Sequence, residues 1–269
     1  VEESLMRKFS TSDFREKKIQ KQKITMLTAY DFHSALTCDR NGIDTILVGD
    51  SLGQMIQGDQ DNRSVTITEM MYHTRLVCKG VRLSYVVADM PFGSYETPEQ
   101  AIESAKILTE EGGANAVLME GREVTDSVQA VVEAGIPVVG LVGMSVDRIQ
   151  ELGPYSSSSS KPKEEYEKIL SSASVLEEAG CSALVLRTIP ASLAKTITRR
   201  LEIPTIGIGA GRHVDGQLLL YHDMMGIIDD FNPRHVKRYA HVSQVMIQGV
   251  KSYISDVEKI VYPGDDYNY

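Results

Sequence analysis

The sequence predicts an α/β fold, a single (β/α)8 TIM barrel, from two observations. Eight short apolar runs rich in β-branched residues recur along the chain, and most are separated by amphipathic stretches of helical length. Strands that alternate with helices run parallel, because each helix returns the chain to the start of the next strand. Eight such units in 269 residues fit one closed barrel, which typically needs about 250 residues.

The predicted strands are apolar on both faces, as the strands of a parallel sheet covered by helices must be. They span residues 24–30, 44–50, 85–91, 116–121, 137–143, 183–189, 204–211 and 217–222. Amphipathic helices are predicted between them, and the clearest span residues 66–80, 97–113 and 163–180. One domain is therefore expected over residues 1–269, with the charged and polar residues 1–22 as an N-terminal extension.

One segment, residues 153–163, breaks the alternation of strands and helices. Its sequence, GPYSSSSSKPK, contains five consecutive serines and has neither helical nor strand periodicity. We expect a mobile loop after the fifth strand, at the mouth of the barrel. Two interpretations are open: a lid that orders when ligand binds, or a plain surface insertion.

Composition narrows the class of partner. The formal net charge is −9 and the sequence pI is about 5.2. Nucleic acid and anionic membranes bind positively charged surfaces, so a chain with this negative charge is not expected to bind either. The expected partner is a small molecule, without nucleic acid or membrane.

The cysteines Cys38, Cys78 and Cys181 are unclustered, so neither a disulfide framework nor a zinc site is predicted. With no apolar stretch of membrane-spanning length, a soluble cytoplasmic protein is expected.

Three carboxylates occupy the ends of three successive predicted strands. Asp50 closes DTILVGD, Asp89 closes SYVVAD, and Glu120 closes NAVLME. In barrels of this type the chemistry lies at the carboxyl ends of the strands, where these side chains would meet. Carboxylate oxygens are the ligands that Mg²⁺ prefers. A single strand-end aspartate can simply cap the following helix, but three in succession favour a divalent-metal site.

A set of motifs then gives a specific resemblance. In order and spacing, the chain resembles the ketopantoate hydroxymethyltransferase family from about Lys23 to Gly264. The motifs are LTAYDFHSA, ILVGDSLGQMIQG, MYHT, ADMPFGSY with TPEQA, MEG, IPTIGIGAG, DGQ with HDMMGI, and VYPG. The resemblance implies a homo-oligomeric, metal-dependent barrel of the phosphoenolpyruvate/pyruvate superfamily. It also implies transfer of a hydroxymethyl group from methylenetetrahydrofolate to C3 of 3-methyl-2-oxobutanoate, a step of pantothenate biosynthesis.

The resemblance also implies roles for individual residues. Asp50 and Asp89 would bind the metal, Glu120 would complete or support the site, and Ser51 together with Asp89 would contact the substrate. A 2-oxo acid can chelate Mg²⁺ through its carboxylate and keto oxygens. The metal would polarise the ketone and stabilise the enolate that forms when C3 loses a proton.

Three positions depart from the family pattern. Leu118 stands where the family has a lysine that meets the substrate, and Leu141 replaces a histidine of the fifth strand. Arg187 replaces the glutamate that accepts the proton from C3. An arginine, whose pKa exceeds about 12, cannot act as a general base at neutral pH. Leu118 and Arg187 are therefore substrate-contact candidates, and the role of Arg187 in catalysis is open.

Three explanations fit these departures. The chain is a weak hydroxymethyltransferase whose base is Glu120, a lid residue or a metal-bound hydroxide. Alternatively, it is a repurposed paralogue in which Arg187 clamps an additional carboxylate or phosphate. The third explanation is a noncatalytic scaffold or binding protein, against which stands the mutual repulsion of three carboxylates with no metal. Arg187 can also simply pair with Asp89 or Glu120 and neutralise the site.

Overall fold

The computed structural model describes residues 7–121, 123–144, 161–228 and 233–268. The chain divides into two compact units, Val1–Leu219 and Leu220–Tyr269. The boundary follows the last barrel strand, so the larger unit contains the whole predicted barrel. The expectation of one domain over residues 1–269 stays a prediction.

The larger unit is a closed barrel in which each strand pairs in parallel with the next and the eighth pairs with the first. The strands are β1 (Ile24–Thr28), β2 (Thr45–Val48), β3 (Tyr85–Asp89), β4 (Ala116–Glu120), β5 (Val138–Gly143), β6 (Ala183–Arg187), β7 (Thr205–Ile208) and β8 (Gly216–Leu219). The predicted fold class is confirmed. Most strands end earlier than predicted, because the chain leaves the ladder to enter the loops of the barrel mouth.

Helices alternate with these strands. They are α1 (Thr11–Ile19), α2 (Phe32–Arg40), α3 (Ile67–Gly80), α4 (Pro98–Lys106), α5 (Thr125–Glu133), α6 (Lys161–Glu178) and α7 (Ala191–Arg200). A π-helical segment, Ile107–Glu111, continues α4, so the predicted helix over 97–113 is present in two forms. A second π-helical segment, Gly53–Gln57, follows β2. Helix α6 begins inside the segment predicted as a loop, and the remainder of that segment, 153–160, lies outside the described residues.

Local sequence signals explain where helices begin. At α3, the hydroxyl of Thr66 accepts the backbone N–H of Glu69, and the Glu69 carboxylate accepts the backbone N–H of Thr66. This reciprocal pair is a capping box, which satisfies N–H groups that have no partner within the helix. At α4, Thr97 caps the helix and Pro98 occupies its first turn, where a missing N–H has no cost.

The barrel interior is filled by inward-facing apolar side chains from every strand. The buried cluster includes Met26, Leu47, Val87, Leu118, Val139, Leu141, Val185, Ile206 and Leu218. Phe14 of α1 joins this cluster, and its ring lies 5.3 Å from that of Tyr85 in an edge-to-face contact. Burying such a ring contributes about 2 kcal/mol. The described part of the predicted extension therefore packs into the core.

The smaller unit contains α8 (Tyr221–Met224), α9 (Val242–Glu258) and a 3-10 turn, Asp265–Tyr267. Seven large apolar side chains of α9 are exposed, and six of them recur at helical spacing along one side of the helix. We call Met246, Ile247, Val250, Tyr253, Ile254 and Val257 the α9 apolar face. Exposed apolar stripes of this size are typical of interaction surfaces.

Two further predictions concern the cysteines and membrane-spanning segments. The cysteines Cys38, Cys78 and Cys181 are free, as predicted. Burial raises the pKa of the Cys38 and Cys78 thiols to about 11 and that of Cys181 to about 12, so all three are poor nucleophiles near neutral pH. Within the described residues, no helix has both the length and the apolar character required to cross a membrane.

Candidate active site

Four charged side chains meet at the carboxyl ends of the barrel strands. Asp89, Glu120 and Arg187 are the last residues of β3, β4 and β6, and Asp50 follows β2 by two positions. The parallel arrangement places all these ends at one mouth of the barrel. The charges of Glu120 and Arg187 influence the pKa of both Asp50 and Asp89, so the four side chains lie within electrostatic reach of one another. The structure thus brings together the charged residues that the sequence singled out.

Asp50 and Asp89 form the inner part of this cluster. The backbone N–H of Asp50 donates to Oδ2 of Asp89 at 3.3 Å, and the side-chain amide of Asn62 donates to Oδ1 of Asp50 at 3.1 Å. Burial raises the pKa of Asp89 well above its ordinary value, and the charge of Asp50 raises it further. Burial also raises the pKa of Asp50, although Arg187 opposes this effect. A bound cation would stabilise the ionised form of two carboxylates that lie this close together.

Glu120 and Arg187 form an ion pair in the outer part of the cluster. Nη2 of Arg187 donates to Oε1 of Glu120. The side chain of Glu120 is 42% exposed and that of Arg187 is 31% exposed. Of the two partners suggested by the sequence for Arg187, Glu120 is the one contacted. Nε of Arg187 is buried and has no hydrogen-bond partner among the residues that the structure describes.

Glycine at position 143 allows β6 to approach β5 at this point. Gly143 is the register partner of Arg187 and has a φ of 155°. A Cβ at this position would lie 2.0 Å from the carbonyl oxygen of Arg187, much closer than atoms can pack. The next residue, Met144, donates its backbone N–H to the same oxygen at 3.0 Å. The backbone of Arg187 is therefore fixed from the β5 side.

Ser51 is held by a residue that the sequence analysis did not single out. Its Oγ lies 2.8 Å from the hydroxyl of Tyr30, which is fully buried. The backbone carbonyl of Tyr30 in turn lies 2.7 Å from Nδ1 of His73. Tyr30 lies within the motif LTAYDFHSA and His73 within MYHT, so the motifs contained both residues but did not reveal their contact.

The replaced positions Leu118 and Leu141 lie in the barrel interior. Leu118 is 1% exposed and Leu141 is 6% exposed, and both belong to the apolar cluster. Leu118 shares the inward face of β4 with Glu120, two residues further along, and Leu141 is the register partner of Glu120 on β5. The wall beside Glu120 is therefore apolar where the resemblance leads one to expect a lysine and a histidine.

A cavity of about 680 Å³ opens beside Glu120. Its wall includes Phe92 and Tyr95 of the β3–α4 loop, Leu141 of β5 and Lys168 of α6. Burial and the charges of Asp89 and Glu120 raise the pKa of the Tyr95 phenol, which stays protonated at neutral pH. Sequence reasoning missed Tyr95 and Phe92, although both lie in the quoted motif ADMPFGSY.

The donor set is consistent with a divalent metal, because it consists of half-buried carboxylate oxygens. In the described part of the chain, however, no three or more His, Cys, Asp or Glu side chains are already arranged around one metal position. Asp50 and Asp89 are adjacent, whereas Glu120 is engaged by Arg187. The assignment of Asp50, Asp89 and Glu120 as a metal triad stays a prediction.

The fold and the site together define a (β/α)8 barrel enzyme with an acidic site at the strand ends. The sequence pattern of ketopantoate hydroxymethyltransferase matches residues 8–265. The chain belongs to this family.

Curated relatives agree with the family. The 3-methyl-2-oxobutanoate hydroxymethyltransferase of Thermoanaerobacter pseudethanolicus is 46% identical over 264 residues, which cover 97% of this chain and 96% of the relative. A protein of the same name from Thermus thermophilus is 42% identical over 261 residues, which cover 97% of this chain and 99% of the relative.

Solved structures agree with the fold. A phosphonopyruvate hydrolase in complex with oxalate and Mg²⁺ is similar with a TM-score of 0.63 at 12% identity, and the match covers 97% of this chain and 92% of that one. A 2,3-dimethylmalate lyase of the PEP mutase/isocitrate lyase superfamily gives a TM-score of 0.63 at 14% identity, covering 96% and 91%. The chain therefore shares the barrel fold of these proteins.

Proposed function

We propose that this chain transfers a hydroxymethyl group to C3 of a 2-oxo acid. The proposed oxo acid is 3-methyl-2-oxobutanoate, and the proposed donor of the hydroxymethyl group is methylenetetrahydrofolate. Membership of the family and relatives with 46% identity support this reaction. The observation that carries the proposal is the half-buried, adjacent pair Asp50 and Asp89 at the carboxyl end of the barrel.

Asp50 and Asp89 would hold Mg²⁺, with Glu120 as the third or supporting carboxylate. The cation would offset the repulsion and burial that raise the pKa of both aspartates. When bound, Mg²⁺ supplies Lewis-acid polarisation of the ketone of a 2-oxo acid.

Glu120 is our candidate for the group that accepts the C3 proton. Its side chain is 42% exposed and lines the cavity, whereas Arg187 carries no free lone pair for a proton. As the C3–H bond breaks, the proton moves to a carboxylate oxygen of Glu120, and the electron pair forms the C2–C3 double bond. The π pair of the C2=O bond moves onto the C2 oxygen at the same time. Water hydrolyses the donor: its oxygen bonds to the methylene carbon, both C–N bonds of that carbon break, and the two water protons go to the nitrogens of the leaving tetrahydrofolate, which releases formaldehyde. C3 then bonds to the formaldehyde carbon as the C2=O bond re-forms, and Glu120 returns its proton to the new hydroxymethyl oxygen.

The cavity supports a reaction with two substrates. Its volume of about 680 Å³ lies within the range of sites that hold drug-sized ligands, so it can accommodate a donor beside a small oxo acid. Phe92 is 71% exposed and offers an aromatic surface to a planar ring system.

We also propose that the chain forms a homo-oligomer. The α9 apolar face supports this assembly, because a helix with this pattern is stable in water when a partner covers it. Its occupant in this proposal is a second copy of the chain.

Proton NMR of 3-methyl-2-oxobutanoate in D₂O tests the proposed reaction directly. With enzyme and Mg²⁺, the C3 proton signal is expected to disappear, and product is expected when methylenetetrahydrofolate is added. Glu120→Gln should slow the exchange at least about 100-fold, the usual contribution of a positioned base. Unchanged exchange in this variant would assign the proton to another acceptor. No exchange in wild-type protein that binds Mg²⁺ would show that the site serves a different reaction.

A further inference from the structure

We infer that Arg187 makes the site selective for 2-oxo acids that carry a second carboxylate on the substituent at C3. The inference rests on the proposed function, because it names the substrate class of the same site. It concerns what the enzyme binds, and it is testable by binding without any turnover.

The position of Arg187 is the first step. Its partner Glu120 lines the cavity, and the charge of Arg187 also lowers the pKa of Asp50. The guanidinium therefore contacts a residue of the cavity wall and lies within electrostatic reach of the paired aspartates. A 2-oxo acid whose C1 and C2 oxygens are bound near Asp50 and Asp89 would place its C3 substituent toward Glu120 and Arg187.

The second step is the hydrogen-bonding capacity of Arg187. Arginine has five N–H donors. Nη2 donates to Glu120, and the side chain of Arg187 is 31% exposed, so the guanidinium retains donors that a ligand can reach. Two parallel hydrogen bonds from a guanidinium bind a carboxylate strongly.

The apolar wall defines the other substituent. Leu141 lines the cavity and is buried beside Glu120, and Leu118 fills the interior behind it. An alkyl group on C3 would contact Leu141 while the carboxylate contacts Arg187. The inferred substrate class is thus a 2-oxo dicarboxylate with an alkyl branch at C3.

The test compares two ligands that differ at one terminal group. Calorimetry with the full chain at saturating Mg²⁺ would measure 3-methyl-2-oxopentanedioate and 3-methyl-2-oxopentanoate, in which a carboxylate replaces a methyl. We expect wild-type protein to bind the dicarboxylate at least about tenfold more tightly, the usual scale of a charge-assisted bidentate contact. Arg187→Met should remove the preference, and Arg187→Lys should retain part of it, since lysine keeps the charge without the fork.

Lys168→Met is the matched control, because Lys168 is an exposed cation that lines the same cavity. It should change the affinity ratio of the two ligands by less than about threefold, as expected for a solvent-screened charge. Should Arg187→Met fail to fold, Arg187→Lys gives the deciding ratio. Equal binding of the two ligands by the wild type, or loss of the preference only in Lys168→Met, would overturn the inference. The proposed function would still stand if the C3 proton continues to exchange. Binding of neither ligand, with no C3 exchange, would overturn both.

Discussion

At the scale of single residues, Asp50 and Asp89 show how position changes the behaviour of a common side chain. Each is an ordinary strand-end aspartate in the sequence. In the barrel they lie against each other. Burial raises the pKa of both, and a neighbouring negative charge raises each further: that of Glu120 for Asp50 and that of Asp50 for Asp89. A bound cation would reverse this penalty, and we therefore expect metal affinity to depend on both side chains.

Replacing either aspartate by alanine should weaken Mg²⁺ binding at least about tenfold, because a ligand charge is lost from the centre of the site. The barrel should stay folded, since neither side chain belongs to the apolar cluster. Calorimetry with Mg²⁺ and circular dichroism would measure the two effects. Asp61→Ala is the matched control, because Asp61 is exposed in the β2–α3 connection and pairs with Arg63. Wild-type affinity in both site variants would contradict the metal assignment.

Much of the candidate site was predictable at this scale. Asp50, Asp89, Glu120 and Arg187 each close a recognisable strand, and strand ends converge in a parallel barrel. The contact between Glu120 and Arg187 was only one of several possibilities, because it depends on the spacing of β4 and β6 across β5. Tyr30, Asn62 and Tyr95 were missed for a related reason: their contacts are made through loops whose paths the strand pattern does not determine.

At the scale of secondary-structure elements, the edge between β5 and β6 is unusually close. Gly143 faces the carbonyl of Arg187 at a distance that excludes a side chain. The strand pattern predicted that β5 ends at this residue, but a sequence run alone does not show which glycine lies against a neighbouring backbone. The same limit applies to the π-helical end of α4, since its sequence continues the amphipathic pattern of the helix.

Gly143→Ala should destabilise the barrel by at least about 3 kcal/mol, because the new methyl would collide with backbone that cannot rotate away. The urea midpoint of unfolding measures the loss. Gly249→Ala is the control, since Gly249 lies in α9 with nothing within 4 Å of the added Cβ. That variant should gain about 0.5–1 kcal/mol from helix propensity. An unchanged midpoint for Gly143→Ala would show that β6 can move.

At the scale of the whole molecule, the two units differ in the exposure of their apolar side chains. The barrel buries an apolar cluster that runs through all eight strands, whereas the α9 apolar face of the smaller unit is exposed to solvent. Burial of that face against a second copy would remove a large apolar area from water, the main driving force of stable association.

Light scattering should therefore give a mass that is a multiple of the chain mass of 29.7 kDa. Combining Val250→Glu with Ile254→Glu should lower the mass, because two charges would enter the buried interface. Gln248→Glu with Ser252→Glu adds the same charge at the same spacing on the opposite side of α9 and should leave the mass unchanged. A wild-type protein that sediments as a monomer would refute the oligomer.

A ligand must also compete with the ion pair between Glu120 and Arg187. This pair joins the ends of two strands that are not neighbours, so it bridges the mouth above β5. Binding to either partner therefore requires the ligand to share or separate this contact. Salt screens such a partly exposed pair, so we expect the cost of separating it to fall as the ionic strength rises.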